Sequence, residues 1–219
     1  MNKTSKKIIT ASIISIMFVQ LFYMAIEPTF VTAATASDSL LVTLNVTSGV
    51  SITHPTDVTM APNISMSANK SIGGTSWTVT TNSSTGYTLG VKASTNPAMV
   101  SGNGDNFANY TEAVASTPDL WSGVASGTKE FGFSAYGADA PTATWGTSTA
   151  GCGVAGVADV TLKYRGFLAA MTDIQIASLG SPTATTGNTT NICFAAEQNG
   201  VYARSGAYTA TITATATAA

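Results

Sequence analysis

The sequence predicts an all-β fold, an antiparallel sandwich or barrel preceded by an N-terminal signal helix. Three observations carry this reading. No apolar pattern of helical period appears after the first 36 residues, turn-forming clusters recur about every ten residues, and the strongest periodicity is 2. The last strand shows the period best. From Tyr208 to Thr217 every odd position is Thr and every even one apolar. An extended chain therefore puts Tyr208, Ala210, Ile212, Ala214 and Ala216 on one face and the hydroxyls on the other. Thr is β-branched and suits a pleated surface, wetting its outer face without charge.

The chain opens with Lys3, Lys6 and Lys7 and no acid, then an apolar run from Ile8 to Ile26, then the small residues of 31–36. Basic, apolar, small is the order of a secretory signal peptide, with small-x-small cut sites after Ala33 and Ala36. The apolar run also approaches the length of a membrane span, so an uncleaved anchor through residues 8–26 is the alternative. Either way the remainder is placed outside the cytoplasm, extracellular or at the cell surface, because the positive flank stays inside.

Removing 36 of 219 residues leaves 183, with six Lys and Arg against ten Asp and Glu, a net charge of −4. Residues 37–219 are enough for a single enlarged β-domain, and no Pro-rich or charged linker divides them. Charged residues are 9% of the chain, against roughly a quarter in ordinary soluble domains. With no basic patch to neutralise phosphates, nucleic acid is excluded as a partner. Cys152 and Cys193 are the only cysteines, and an even pair in an exported chain reads as a disulfide.

Taken in order, Leu40, Val42, Leu44 and Val46 alternate with Leu41, Thr43 and Asn45 and predict a strand. Val50 to Thr53 resumes the pattern up to His54-Pro55. Trp77 and Val79, a loop over Asn82–Gly86, then Tyr87, Leu89, Val91 and Ala93 predict a hairpin with both aromatic rings buried. From 95 to 150 the pattern loosens into long loops, with a strand expected from Lys129 to Tyr136. Residues 137–151 read as an exposed connection around Pro141 and Trp145. Val160–Arg165 alternates again. Phe167–Met171 reads as a short helical turn leading into a strand at Asp173–Ile176, and Cys193-Phe194 is expected beside Cys152.

The run Asn82–Leu89 and the ending Ser205–Thr213 resemble bacterial exported surface proteins, in which such Thr-rich Gly-Tyr-Thr strands lie in immunoglobulin-like or fimbrial-type sandwiches. The resemblance covers about thirty residues. It implies an immunoglobulin-like or jelly-roll-type antiparallel sandwich and a structural, adhesive or appendage role. It carries over no catalytic or binding residue.

Candidate sites are few. His54 is the only imidazole, with Asp57 and Asp38 near it, but a Ser-His-Asp triad has no Gly-x-Ser-x-Gly elbow to draw on. Before Pro55, at a strand end, a surface residue is the simpler reading. A carboxylate pair for glycoside hydrolysis would come from scattered acids, and lone acids in loops are usually just solvated. Asn103, Asp105 and Asn106 offer oxygen ligands for calcium in a Gly-rich loop, yet the EF-hand spacing fails at Phe107. Trp121, Tyr136 and Trp145 are candidate contact aromatics for a sugar ring or a partner surface, set against core placement, the commoner fate of such rings.

No cofactor is expected. The function expected is a non-enzymatic structural or adhesive protein of a bacterial envelope, whose partner is an envelope or host surface component. A subunit of a pilus-like appendage or surface layer, binding copies of itself by strand pairing, is the alternative. A secreted hydrolase is the third reading.

Overall fold

The computed structural model describes residues 3–25, 36–53 and 55–219. The cut site after Ala33, most of the tract before Ala36, and His54 therefore lie outside the described residues. The chain divides into two compact units, Met1–Asn45 and Val46–Ala219.

In the first unit, helix α1 (Lys3–Ala25) has no acid in its first turn, and Lys7–Met24 is long and apolar enough to cross a membrane. A signal sequence has the same form. Residues 36–49, which run on into the second unit, have no regular secondary structure and are exposed. The strand expected from Leu40 to Val46 pairs with nothing among the described residues. Leu40 is 88%, Val42 81%, Leu44 85% and Val46 76% exposed.

The regular secondary structure of the second unit is almost all strand. The strands are β1 (Val50–Ile52), β2 (Lys70–Thr81), β3 (Tyr87–Ala93), β4 (Met99–Ser101), β5 (Asn106–Asn109), β6 (Asp119–Leu120) and β7 (Thr128–Gly137). After one helical turn, α2 (Thr142–Trp145), come β8 (Gly153–Val154), β9 (Val157–Ala158), β10 (Lys163–Tyr164) and β11 (Ile174–Leu179). The chain ends with β12 (Asn188–Asn199), β13 (Tyr208–Thr209) and β14 (Ile212–Ala218).

A large sheet runs β1-β2-β12-β7-β5-β4-β13, and a smaller one β11-β3-β14. The large sheet is mixed, because β5 runs parallel to β7 where antiparallel pairing was expected throughout. Trp77 and Val79 of β2, Phe131 and Phe133 of β7, and Ile192 and Phe194 of β12 point inward at alternate positions. They share one apolar core with Tyr87, Leu89 and Val91 of β3 and Ile174 and Ile176 of β11. On β14, Ile212, Ala214 and Ala216 pack against this core while Thr213, Thr215 and Thr217 face water, as the Thr alternation predicts.

Two expectations are corrected. The segments either side of Asn82–Gly86 do not form a hairpin: β2 pairs with β1 and β12, and β3 with β11 and β14. Trp77 and Tyr87 do share the core, arriving from different sheets. Alternation records that one face is buried and does not record which neighbour lies alongside. The crossing depends on Gly86, with φ of 80°, where a Cβ would stand 1.8 Å from the carbonyl oxygen of Leu179. The terminal strand also breaks at Ala210-Thr211, giving β13 to β4 in the large sheet and β14 to β3 in the small one.

The outer face of the large sheet is covered too. Tyr110, Leu162 and Tyr164 are buried against Cys193 and Ala195 of β12, with Trp121, Tyr136 and Cys152 packed around them. The expected disulfide is present, Cys152 to Cys193 with an S–S distance of 2.04 Å. Beside Cys193 in register stands Gly74 of β2, where a Cβ would lie 2.3 Å from Cys152 Sγ and 3.0 Å from the carbonyl oxygen of Ile192. Glycine here is what lets the disulfide lie flat on the sheet. Gly74→Ala is expected to destabilise the fold by about 1–3 kcal/mol, as overpacking does, measured by urea unfolding. Under reducing conditions the penalty should shrink, because the freed Cys152 thiol can move aside.

The covering layer is tied down by Asp159. Its carboxylate accepts the backbone N–H groups of Thr149 (2.9 Å), Ala150 (2.8 Å) and Thr161 (2.8 Å) and the Thr161 hydroxyl (2.5 Å). Burial works against its charge, but these donors outweigh it and hold the carboxyl well below the usual carboxylate range.

Candidate functional site

The large sheet's inner face runs past the small sheet, and there the molecule has an open groove of about 1320 Å3. From the large sheet it is lined by Ser71, Thr75 and Trp77 of β2, Phe131 of β7, and Phe194, Ala196 and Gln198 of β12, a mixed apolar and polar surface. One wall is the segment 55–66, which rests Val58, Met60 and Ile64 against the core. The other is the segment 202–212, leading through β13 into the first residue of β14. Both walls hang on one buried side chain. Gln198 donates from Nε2 to the carbonyl oxygen of Ser65 (2.9 Å) and accepts at Oε1 from the N–H of Ala203 (2.9 Å).

Asp105 fixes the second wall further. It pairs with Lys129 Nζ at 2.5 Å and accepts the Tyr208 hydroxyl (2.5 Å) and the Arg204 N–H (2.9 Å). The Lys129 ammonium, then Tyr208, hold the Asp105 carboxyl well below its ordinary value. Asn103 does not join this carboxylate in a cation cradle: its Oδ1 accepts the Ser101 hydroxyl and the Asp105 N–H (3.1 Å). Among the described residues, no group of three or more His, Cys, Asp or Glu is placed to hold a metal ion.

The three candidate contact aromatics have different fates. Trp145 is 1% exposed and packs on Phe133 at 5.4 Å, so the connection around Pro141 is a helical turn that plants a core residue. Trp121 stacks on Tyr110 at 4.5 Å, meets Tyr164 edge-on, and donates Nε1–H to Glu197 at 2.8 Å. Tyr136 lies half-buried in the same outer cluster. None of the three lines the groove. The groove's own aromatics include Trp77, Tyr202 and Tyr208, and no local sequence signal joins these distant segments.

Acids do gather, though outside the groove. Glu130 and Glu197 face each other in the β7–β12 register, both buried; Glu197 pairs with Lys70 at 3.3 Å and Glu112 with Arg165 at 3.5 Å. Burial first, and then Glu112 and Glu197, raise the Glu130 carboxyl against the opposing N–H of Thr111. A carboxyl raised by folding costs stability once ionised, and the cost disappears below the unfolded value of about 4.3. Glu130→Gln is therefore expected to be more stable than the parent at pH 7. That gap should close as pH falls through the raised value toward 4, as read by urea titrations across pH 4–8.

Among the described residues the ionisable side chains on the groove are Asp57, Tyr202, Arg204 and Tyr208, which form no nucleophile–base pair. What the groove offers chemically is a mixed lining of aromatic rings, hydroxyls and amides, with Asp57 and Arg204 as its charged side chains among the described residues. Among known proteins, no family model, curated protein or solved structure matches this chain.

Proposed function

We propose that this is a secreted or cell-surface, non-enzymatic structural or adhesive protein of a bacterial envelope, its body a two-sheet sandwich of the immunoglobulin-like type. One observation carries the reading: an N-terminal apolar helix stands ahead of a strand-rich body with a disulfide. A disulfide persists where the surroundings oxidise, outside the cytoplasm. The scarcity of charge and the Thr-faced strands support it. Envelope or host surface components are the partners that follow. Protease shaving of intact producing cells, with intact-mass analysis of the released and retained chains, tests this. The body is expected among shaved or secreted fragments with Cys152 and Cys193 paired, and confinement of the whole chain to the cytoplasm would end the reading.

A second reading, subunit of a polymeric appendage or surface layer, is favoured by a separate observation. Residues 40–46 are exposed, carry apolar side chains at alternate positions, and have no strand partner among the described residues. Light scattering of the full chain across a concentration series tests it, and growth of the particle mass is expected.

A further inference from the structure

We propose that residues 111–124 form a lid on the outer face of the large sheet, closed by one proton on the Glu130–Glu197 pair and opening as that proton is lost. The lid hangs from carboxylates. Thr111 donates its N–H to Glu130 Oε2 (3.0 Å), and Trp121 donates Nε1–H to Glu197 Oε2 (2.8 Å). At the root of the lid, Glu112 accepts the N–H of Gly166 (3.1 Å). Beyond these ties it has the two-residue pairing of β6 with β10 and the stack of Trp121 on Tyr110. Val114 and Leu120 are exposed, and from 111 to 124 only Pro118 and Val124 are buried. A segment with so few buried contacts is where a fold opens locally, below the cost of unfolding the whole.

The charges beneath the lid are one cation short. Lys70 of β2, Glu197 of β12 and Glu130 of β7 stand in one register row across the sheet. Lys70 pairs with Glu197 and Arg165 with Glu112, while among the described residues no cation forms an ion pair with Glu130. Its chain neighbour Lys129 is paired with Asp105. Asp119 of the lid accepts the Tyr110 hydroxyl (2.8 Å) and the N–H of Ala113 (2.6 Å), and adds no positive charge. Glu112, Glu130 and Glu197 thus face the cations Lys70 and Arg165, and one bound proton restores the balance.

The sign follows from burial. In the closed lid, burial first and then the negative charges of Glu112 and Glu197 keep the Glu130 carboxyl above its ordinary value, against the Thr111 N–H and the Thr128 hydroxyl. Opening returns the group to water, where a glutamate titrates at about 4.3. The closed form therefore holds the proton more tightly, and rising pH favours the open one. With one proton released per opening, the opening equilibrium should grow by up to about tenfold per pH unit above 4.3 and level off past the raised value. Opening uncovers the Trp121 and Tyr110 rings beside the Glu197 carboxylate, so this aromatic and acidic surface is shown in neutral surroundings and hidden in acid.

Amide hydrogen exchange of the full chain in detergent micelles tests this, across pH 4–8, corrected for the intrinsic pH dependence of exchange, with and without low urea. Protection of residues 111–124 is expected to lie below that of β12, to fall up to tenfold per pH unit and then to level off. Low urea should leave it unchanged, because a local opening exposes little surface, whereas β12 should respond. Glu130→Gln keeps an acceptor for Thr111 without a charge, so its lid should stay at the acid level of protection at every pH. Glu112→Gln should keep the step and bring its plateau to lower pH, since one like charge is gone.

A lid whose protection does not change with pH overturns the proposal. So does a lid that follows β12 in urea, since it then opens only with the whole unit. A Glu130→Gln chain that keeps the wild-type slope places the proton elsewhere and removes Glu130 from the device. Should that variant fail to fold, the wild-type and Glu112→Gln profiles decide, and an unshifted plateau in the latter counts against the carboxylate cluster.

Discussion

Replacing both Cys152 and Cys193 by alanine is expected to lower the stability of the second unit by about 4 kcal/mol. The chain-entropy relation gives this figure for the sequence separation of 41. Alanine is the right replacement, because Cys193 is fully buried and serine would bring an unpaired hydroxyl to the same place. At 2–4 °C for each kcal/mol in a unit of this size, the melting temperature should fall by roughly 8–16 °C. The loss should also be uneven. The disulfide fastens the covering layer to β12, the strand between β2 and β7, while the core between the two sheets has no part in it. Amide exchange should therefore quicken first around residues 149–161, where the Asp159 web becomes the main remaining tie, and last on β3 and β12. An unchanged melting temperature would mean that this web and the Tyr110–Trp121–Tyr164 stack hold the layer unaided.

How much of this was legible in the sequence depended on how each strand is buried. β3 and β14 have one face on the core and one toward water, so their period of 2 stands in the sequence, although the expected continuous strand from Tyr208 is divided between β13 and β14. β12 was not read as a strand. Its Ile192-Cys193-Phe194-Ala195-Ala196 run is buried on both faces, inner side chains meeting the small sheet and outer ones the covering layer. A strand buried on both faces has no reason to alternate, and this one carries Glu197 and Gln198 besides, both buried and both bonded. Gly73 and Gly74 lie in the interior of β2, where the lack of a Cβ admits Val58 at one and Cys152 at the other.

The groove was illegible for another reason. Its walls and floor come from residues as far apart as 55 and 212, and nothing local marks them as neighbours. Leu40 to Val46 shows the reverse case. Its alternation also has the period of a strand, yet it pairs with no strand among the described residues.

Phe133→Ala is expected to cost 3–5 kcal/mol, the range for deleting a buried phenyl ring. The ring is fully buried and packs on Phe167 at 4.5 Å and Trp145 at 5.4 Å. On the strand beside it in register stands Phe194 of β12. Relaxation into the space is restricted, because Phe133 exchanges both backbone hydrogen bonds with Arg165 (2.9 and 2.8 Å). Those bonds hold the next stretch of chain against β7 whether or not the ring is there. The cavity should therefore stay open, placing the cost toward the upper end of the range, and Trp145 should lose its fixed setting. Urea unfolding measures the first effect, and a weakened near-ultraviolet Trp dichroism signal the second. A cost under about 1.5 kcal/mol would mean that the core repacks as it does for a volume-conserving swap.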